Sequence, residues 1–396
     1  MPLLSDLLRA LDDWYPPATA ESWDAVGLSC GDPGTAVDTV LVAVDCVPDT
    51  VDEAIRAGAQ LLLTHHPLFL SGVHGVPATD PKGAMAHRMI RAGVAHFAAH
   101  TNADVAEHGV SAALADVLGL REIRPLDPDP APALDHLSVF IPGENVDQVV
   151  DALTRAGAGS VGGYDQGTFT VEGTTTYRPL PGAKPADGEI GVLTRKAEVR
   201  LSVVLPRRLR GAALMAVRQA HPYEEVAFEL TERPSLPGPT GTGRIGELPG
   251  PLSLRDFTDH VAAVLPRTAW GVRAAGAPDH VIRTVAVCGG SGASYAGLAR
   301  DAGADAYLTS DLKHHSTLET VNEPAGVSVR PLALVDAAHW ATEFPWLDMV
   351  ARQLRERFAT GGSDGSGRDA GGDAGQTAVR VLVSETVTDP WTLHAR

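Results

Sequence analysis

The stretch Leu61-Leu62-Leu63-Thr64-His65-His66-Pro67 decides how this chain is read. An apolar run without alternation suits a strand buried on both faces, as in a parallel sheet. The run stops at Thr64, and two adjacent histidines follow. Imidazoles at the mouth of a buried strand are poor core residues, but neutral imidazole is a common metal ligand. On a regular strand His65 and His66 would point to opposite faces. At a strand-to-loop junction that alternation relaxes, so both rings can reach one cavity. The competing reading is one capping and one surface histidine.

Working outward, the pattern alternates. Residues 3–14 read as a helix and Leu41-Val42-Ala43-Val44 as a buried strand ending at Asp45. A helix over 51–57 is stopped by Gly58, a second covers 85–91, and a strand covers 94–99. Strands alternating with helices predict an α/β layer fold. Such folds place ligand sites beyond the carboxyl ends of the strands. The run Pro125-Leu126-Asp127-Pro128-Asp129-Pro130-Ala131-Pro132 can continue neither a helix nor a central strand, and marks a boundary. Beyond it, strand 137–141, helix 146–156, a Gly- and Thr-rich β stretch, strand 197–205 and helix 210–220 predict an inserted ferredoxin-like α+β unit. The α/β pattern then resumes with helix 254–265, strand 284–288, helix 298–302, strand 306–309 and a closing strand 379–384. The expected organisation is a split core of two related α/β layers, 1–125 and 246–396, interrupted by a unit at 126–245. The Gly-, Ser- and Asp-rich segment 359–378 reads as a flexible loop.

Bulk properties narrow the function. At 396 residues the chain is too long for one ordinary core. A net charge of −17 argues against a nucleic-acid or anionic-membrane surface. Three scattered cysteines, Cys30, Cys46 and Cys288, form no disulfide framework and point to a reducing cytoplasm. The N-terminus reads as an amphipathic helix and not as a signal peptide. No apolar run approaches the ~20 residues of a membrane span.

Carboxylate partners for the histidines lie elsewhere. Asp104, in His100-Thr101-Asn102-Ala103-Asp104, sits just past a strand end; its alternative role is N-cap for a helix over 105–118. His339 and Glu343 are four apart. Pro345 belongs in the first turn of a helix, so that helix is placed with Thr342 as N-cap, Glu343 in its first turn and His339 in the preceding loop. Their alternative is an ordinary surface pair. His65, His66, Asp104, His339 and Glu343 are too many ligands for one zinc and about right for two divalent ions. Ions ~3.5–4 Å apart with a carboxylate between them are a common hydrolytic arrangement. Ligation without thiolate suits Zn, Fe, Mn, Co or Ni without choosing among them. Gly289-Gly290-Ser291-Gly292 could cradle an anion through its amides, or form a tight turn. His100, Ser291, Asp311 and His315 are candidates for a surrounding shell or for substrate contact. His221-Pro222-Tyr223-Glu224-Glu225 reads as a ligand segment or as a structural turn.

In order along the chain, Glu21-Ser22-Trp23-Asp24-Ala25-Val26-Gly27-Leu28, Thr64-His65-His66-Pro67, His100 to Asp104, Gly243-Arg244-Ile245-Gly246, Cys288 to Gly292, Thr309-Ser310-Asp311, and His339 with Thr342-Glu343 resemble the Nif-three-like dinuclear-metal family, also labelled GTP cyclohydrolase 1 type 2. Carried over by position, the family's ligands fall on His65, His66, Asp104, His339 and Glu343. The resemblance implies a homohexamer with metal sites facing an internal cavity, and a middle unit similar to CutA and PII-type domains. It also implies ring-opening hydrolysis of GTP or of another small, nucleotide-like substrate by a metal-activated water. The alternative is a non-enzymatic metal-handling or regulatory assembly. Thr309-Ser310-Asp311 replaces the frequent Thr-Gly-Asp, and His314-His315 the frequent Tyr-His; neither change touches the five ligands.

Overall fold

The run at 61–64 is the middle strand of a five-stranded sheet. Its order is β1 (Gly27–Cys30), β4 (Ala95–Ala98), β3 (Leu61–Thr64), β2 (Thr39–Ala43) and β15 (Arg380–Val383). β15, β2, β3 and β4 are parallel, and β1 runs antiparallel at the edge. The run does not alternate because both faces are covered. Leu61 and Leu63 pack under α1 (Leu4–Trp14) and α12 (Pro345–Arg357), against Leu7, Leu11, Trp346 and Val350. Leu62 packs on the other face under α2 (Pro48–Ala57) and α3 (Pro81–Ala92), against Val51, Ala54 and Met89. Each fully buried leucine contributes about 1.5–3 kcal/mol. Helix α2 starts with Pro48 at its first position and stops at Gly58, whose φ of +66° only glycine adopts without cost.

The computed structural model describes residues 1–322, 331–359 and 378–395, so residues 360–377 of the expected flexible loop lie outside the described residues. The second sheet has the order β11 (Val272–Ala275), β14 (Ala333–Ala337), β13 (Ala306–Ser310), β12 (Val281–Ser291), β10 (Pro237–Ser253) and β5 (Arg121–Pro130). β12, β13 and β14 are parallel. One face is covered by α5 (Val110–Val117) and α8 (Leu254–Val264) through Leu114, Phe257 and Val261. α9 (Ala296–Asp301) and α10 (His314–Asn322) lie over the other, with Ala299 and Val321 against Tyr307 and Leu334. The chain is mixed α/β, as the alternation predicts, but the two sequence halves do not map one-to-one onto the two sheets. β15, from the end of the chain, pairs with β2; β5, from the first half, closes the second sheet.

The chain divides into two compact units, Met1–Asp129 with Pro239–Arg396, and Pro130–Gly238. The expected limits, 126 and 245, fall inside the larger unit. The prolines at 125, 128 and 130 belong to β5, an edge strand, where proline is tolerated. Gly243-Arg244-Ile245-Gly246 lies in β10, paired with β12. The smaller unit runs β6 (Leu134–Ile141), α6 (Val146–Arg155), β7 (Thr168–Tyr177), β8 (Thr194–Pro206), α7 (Arg210–Ala220), β9 (Phe228–Glu232). Its sheet is antiparallel with the order β7-β8-β6-β9, and its helices bury Val149, Leu153 and Val217 against Leu137, Val139 and Leu201. The β–α–β–β–α–β sequence is that of a ferredoxin-like unit. Within it His221 is structural: Nε2 donates to the Phe140 carbonyl, and Nδ1 accepts from the Tyr223 amide.

Candidate metal centre

The chain bends where β3 ends. Thr64 Oγ1 donates to the His66 carbonyl at 2.7 Å, and the His65 and His66 amides bond back to Ala43 and Val44. Alternation is lost there, and the two rings stand side by side, centroids 4.9 Å apart. His100 follows β4, the parallel neighbour of β3, with its ring 5.1 Å from that of His65. His339 opens α11 (His339–Glu343) after β14, with its ring 5.4 Å from that of His66. The carboxyl ends of parallel strands from two sheets therefore meet at one place.

All four rings are oriented alike. Nδ1 of His65 bonds the Ala99 carbonyl at 2.9 Å, and Nδ1 of His66 bonds Asp45 Oδ1 at 2.7 Å. Nδ1 of His100 bonds Asp24 Oδ1 at 2.8 Å, and Nδ1 of His339 bonds Asp311 Oδ2 at 2.6 Å. An acceptor at Nδ1 holds the proton there and leaves the Nε2 lone pair for a metal; metal-binding histidines are oriented in this way. Asp24 is itself fixed by the Thr101 amide and hydroxyl. Asp311 takes a left-handed φ of +57°, an uncommon conformation for a residue other than glycine.

The carboxylates complete the set. Glu343 Oε1 lies 2.8 Å from His339 Nε2 and 3.4 Å from His65 Nε2, and Oε2 lies 3.3 Å from His66 Nε2. Asp104 Oδ1 is 3.7 Å from His65 Nε2. Asp104 Oδ1 and Glu343 Oε2 are shielded from water yet have no hydrogen-bond partner among the described residues. Unpartnered buried carboxylate oxygens are costly. Facing imidazole nitrogens at these distances, they suit divalent cations held between them. Two groups of ligand atoms lie within 4.8 Å of one another, His65/His66/His100 and His66/His339/Glu343.

Burial is the largest single influence on each imidazole and pulls it down; at His65, His66 and His339 the neighbouring carboxylates together outweigh it, Glu343 foremost, whereas His100 stays lowered. His65 is raised; His66, which Asp45 also helps, is raised to about 11, and His339 to about 9. Burial pushes Glu343 upward, but His66, His65 and His339 hold it well below the usual carboxylate range. For Asp104 burial prevails and takes it to about 6.

A model of the Duf34/NIF3 (NGG1p interacting factor 3) family matches residues 2–364. The chain belongs to the Duf34/NIF3 family. It is 46% identical over 396 residues to a Mycobacterium leprae protein named GTP cyclohydrolase 1 type 2 homolog, covering 99% of this chain and 96% of that one. A Bacillus subtilis protein of the same name is 33% identical over 386 residues, covering 98% and 97%. The crystal structure of a Bacillus cereus protein related to NIF3 superposes with a TM-score of 0.73 at 33% identity, covering 98% of both chains. That of a Staphylococcus aureus protein gives 0.79 at 28% identity, again covering 98% of both.

Within this NIF3-family chain the structure brings His65, His66, Asp104, His339 and Glu343 together, and corrects several details. His100, expected in a surrounding shell, stands among the imidazoles. Asp104 caps no helix: it lies within α4 (Thr101–Val105), and α5 is a separate helix capped at Gly109. His339 is not in a loop but in the first turn of α11, because Ala338 is extended and caps the helix through its backbone alone. Thr342 is inside that helix, donating to the His339 carbonyl. Pro345 begins α12 directly after the helical Phe344. Amides of the glycine loop are engaged within the fold. The Gly290 amide is taken by Thr342 Oγ1 and the Gly292 amide by Thr309 Oγ1, both at 2.9 Å. Ser291 and His315 are exposed. Asp24 and Asp45, which orient His100 and His66, were not singled out as site residues. A carboxylate next to a strand end, Asp45 after β2, was the available signal.

Gly290 has a different role. Its φ is +64°, and a Cβ there would lie 2.6 Å from Glu343 Oε1 and 3.2 Å from His339 Nε2. A Gly290→Ala variant is expected to fold with a loss of roughly 1–3 kcal/mol from backbone strain. It should lose metal affinity out of proportion, because the methyl group fills the space beside both ligands. Metal titration next to urea unfolding checks this; unchanged affinity would contradict it.

Proposed function

We propose that this chain is a metal-dependent hydrolase holding two divalent cations, with a nucleotide-like small molecule as substrate. One observation carries the reading: four imidazoles are each tied back at Nδ1, and three of them, His65, His66 and His339, bring Nε2 to the shared carboxylate of Glu343, beside the unpartnered oxygen of Asp104. His65, His66, His100, His339, Asp104 and Glu343 would hold the ions, and Zn, Fe, Mn, Co and Ni all suit this donor set. When bound, a pair of divalent ions lowers the pKa of water and supplies a nucleophile at neutral pH. Asp24, Asp45 and Asp311 orient the imidazoles. Trp346, fully buried with its ring 5.6 Å from that of His65, forms a dry wall behind the site. The names of the relatives support GTP as the first substrate to try.

The test is GTP loss by protein loaded in turn with Zn, Mn, Fe, Co or Ni, beside His65→Ala. Turnover that requires metal and falls at least about a hundredfold in the variant supports the enzyme. Stoichiometric metal without turnover on nucleotides and phosphoesters would replace it with the metal-handling alternative. A homohexamer in the cytoplasm is part of the same proposal, and the solution mass should be six times 41.4 kDa. No helix among the described residues is long and apolar enough to cross a membrane.

A further inference from the structure

Beside His66 and His339 opens a cavity of about 370 Å³, closed on one side by the segment that follows β15. That segment is pinned. Ser384 and Thr386 donate to Glu53 Oε2 at 2.6 and 3.0 Å, and Thr388 donates to Asp45, the partner of His66. The pinning delivers Asp389 to the cavity. Its carboxylate accepts from the Trp391 amide, but Oδ2 is buried with no partner among the described residues, in a side chain only 7% exposed. Trp270, which lines the same cavity, carries a second orphan: its Nε1, a donor, is also buried without a partner among the described residues. Behind it, Arg273 lies over the Trp270 ring, 4.5 Å from its centroid, and is held there by Asp336. The Trp270 and Trp391 rings are 5.8 Å apart, tilted by 37°, and Trp391 is 60% exposed. Trp391 is thus a backed aromatic platform with a free face.

One buried acceptor and one buried donor in a cavity each forfeit a hydrogen bond unless a ligand supplies it. A flat aromatic surface beside them favours a ring that stacks. The volume is that of an ordinary small-molecule pocket, roughly 300–1,000 Å³. We propose that this cavity binds a planar heteroaromatic ring with a donor–acceptor edge, stacked on Trp391, its N–H read by Asp389 Oδ2 and its acceptor by Trp270 Nε1. The inference rests on the functional reading above only for the site it adjoins. It assigns the substrate's ring to Asp389, Trp270 and Trp391, none of which is a metal ligand.

The test is calorimetric titration of the full chain with adenosine, guanosine and purine riboside, with and without Zn. Purine riboside has the same ring and sugar but no N–H on its base. Adenosine and guanosine should bind about tenfold or more tightly than purine riboside, the loss expected for one hydrogen bond to a charged acceptor. Asp389→Ala should bring adenosine down to purine riboside, and Trp391→Ala should weaken all three alike. Equal binding of adenosine and purine riboside by the unaltered protein overturns the proposal. So does full preference in Asp389→Ala, or no binding of any of the three at millimolar concentration. Binding is read without turnover, so discrimination without GTP loss retires the hydrolase reading alone. Turnover without discrimination retires this inference alone.

Discussion

Glu343→Gln is expected to empty the centre of tightly held metal. The side chain is 3% exposed and meets the Nε2 atoms of His65, His66 and His339. Glutamine keeps the volume but loses the charge, and its amide nitrogen is no ligand. Residues that only orient ligands are worth 10–100-fold in affinity, so a carboxylate shared by three imidazoles should cost about a hundredfold or more. Metal content after dialysis against a competing chelator reads this directly. Retention of two equivalents would end the argument for a shared carboxylate. The metal-free variant should also be less stable at neutral pH. The imidazoles it leaves behind have lost the charge that keeps them protonated, and breaking a buried ionic cluster typically costs about 3–5 kcal/mol. Urea unfolding of metal-free protein measures that loss separately from metal affinity.

The second large effect is an opposite response to pH in the metal-free and loaded protein. In the metal-free state His66, at about 11, and His339, at about 9, carry protons at neutral pH. A raised histidine stabilises the fold fully below its ordinary value of ~6.5, and that contribution fades as pH climbs through the folded value. Asp104, at about 6, adds its own loss of stability only at lower pH, between its ordinary carboxylate range and about 6, since its ionisation is unfavourable in the fold. Metal-free protein should therefore melt at lower temperature as pH rises from 6 to 9. Metal must displace those protons, so its affinity rises over the same range, by about tenfold per pH unit for each proton released. Below pH 6 Asp104 must lose a proton as well, and the dependence steepens. Melting curves at several pH values, with and without Zn, would show the crossing. Parallel slopes would mean that the imidazoles of the free protein are not held protonated by Glu343.

The positions of the elements were legible because burial is written into composition. Leu61 to Leu63 betray a strand covered on both sides, and Gly58 ends the helix before it. The candidate ligands were legible because histidines and carboxylates at strand ends have few structural uses. What the sequence hid depends on pairings between distant segments. Asp24 is 76 residues from His100, and nothing local ties them. Asp45 is 21 residues from His66, joined only because β2 and β3 are parallel neighbours. The prolines of β5 argue against a strand unless it is known to lie at an edge. The start of α11 was misplaced because Ala338 carries no capping side chain, and Thr342, a good cap by residue type, is used to bond Gly290 instead.

The place of β15 in the first sheet has a consequence for synthesis on the ribosome. β2 is buried throughout, and its outer neighbour consists of residues 380–383. Until residues 380–383 leave the exit tunnel, a greasy strand presents open amides and carbonyls to anything nearby, which is an invitation to pair with another nascent chain. Glu343 arrives almost as late. The candidate metal site is therefore incomplete until residue 343 has been made, and a stop shortly before residue 380 should yield aggregates and not a partly working protein.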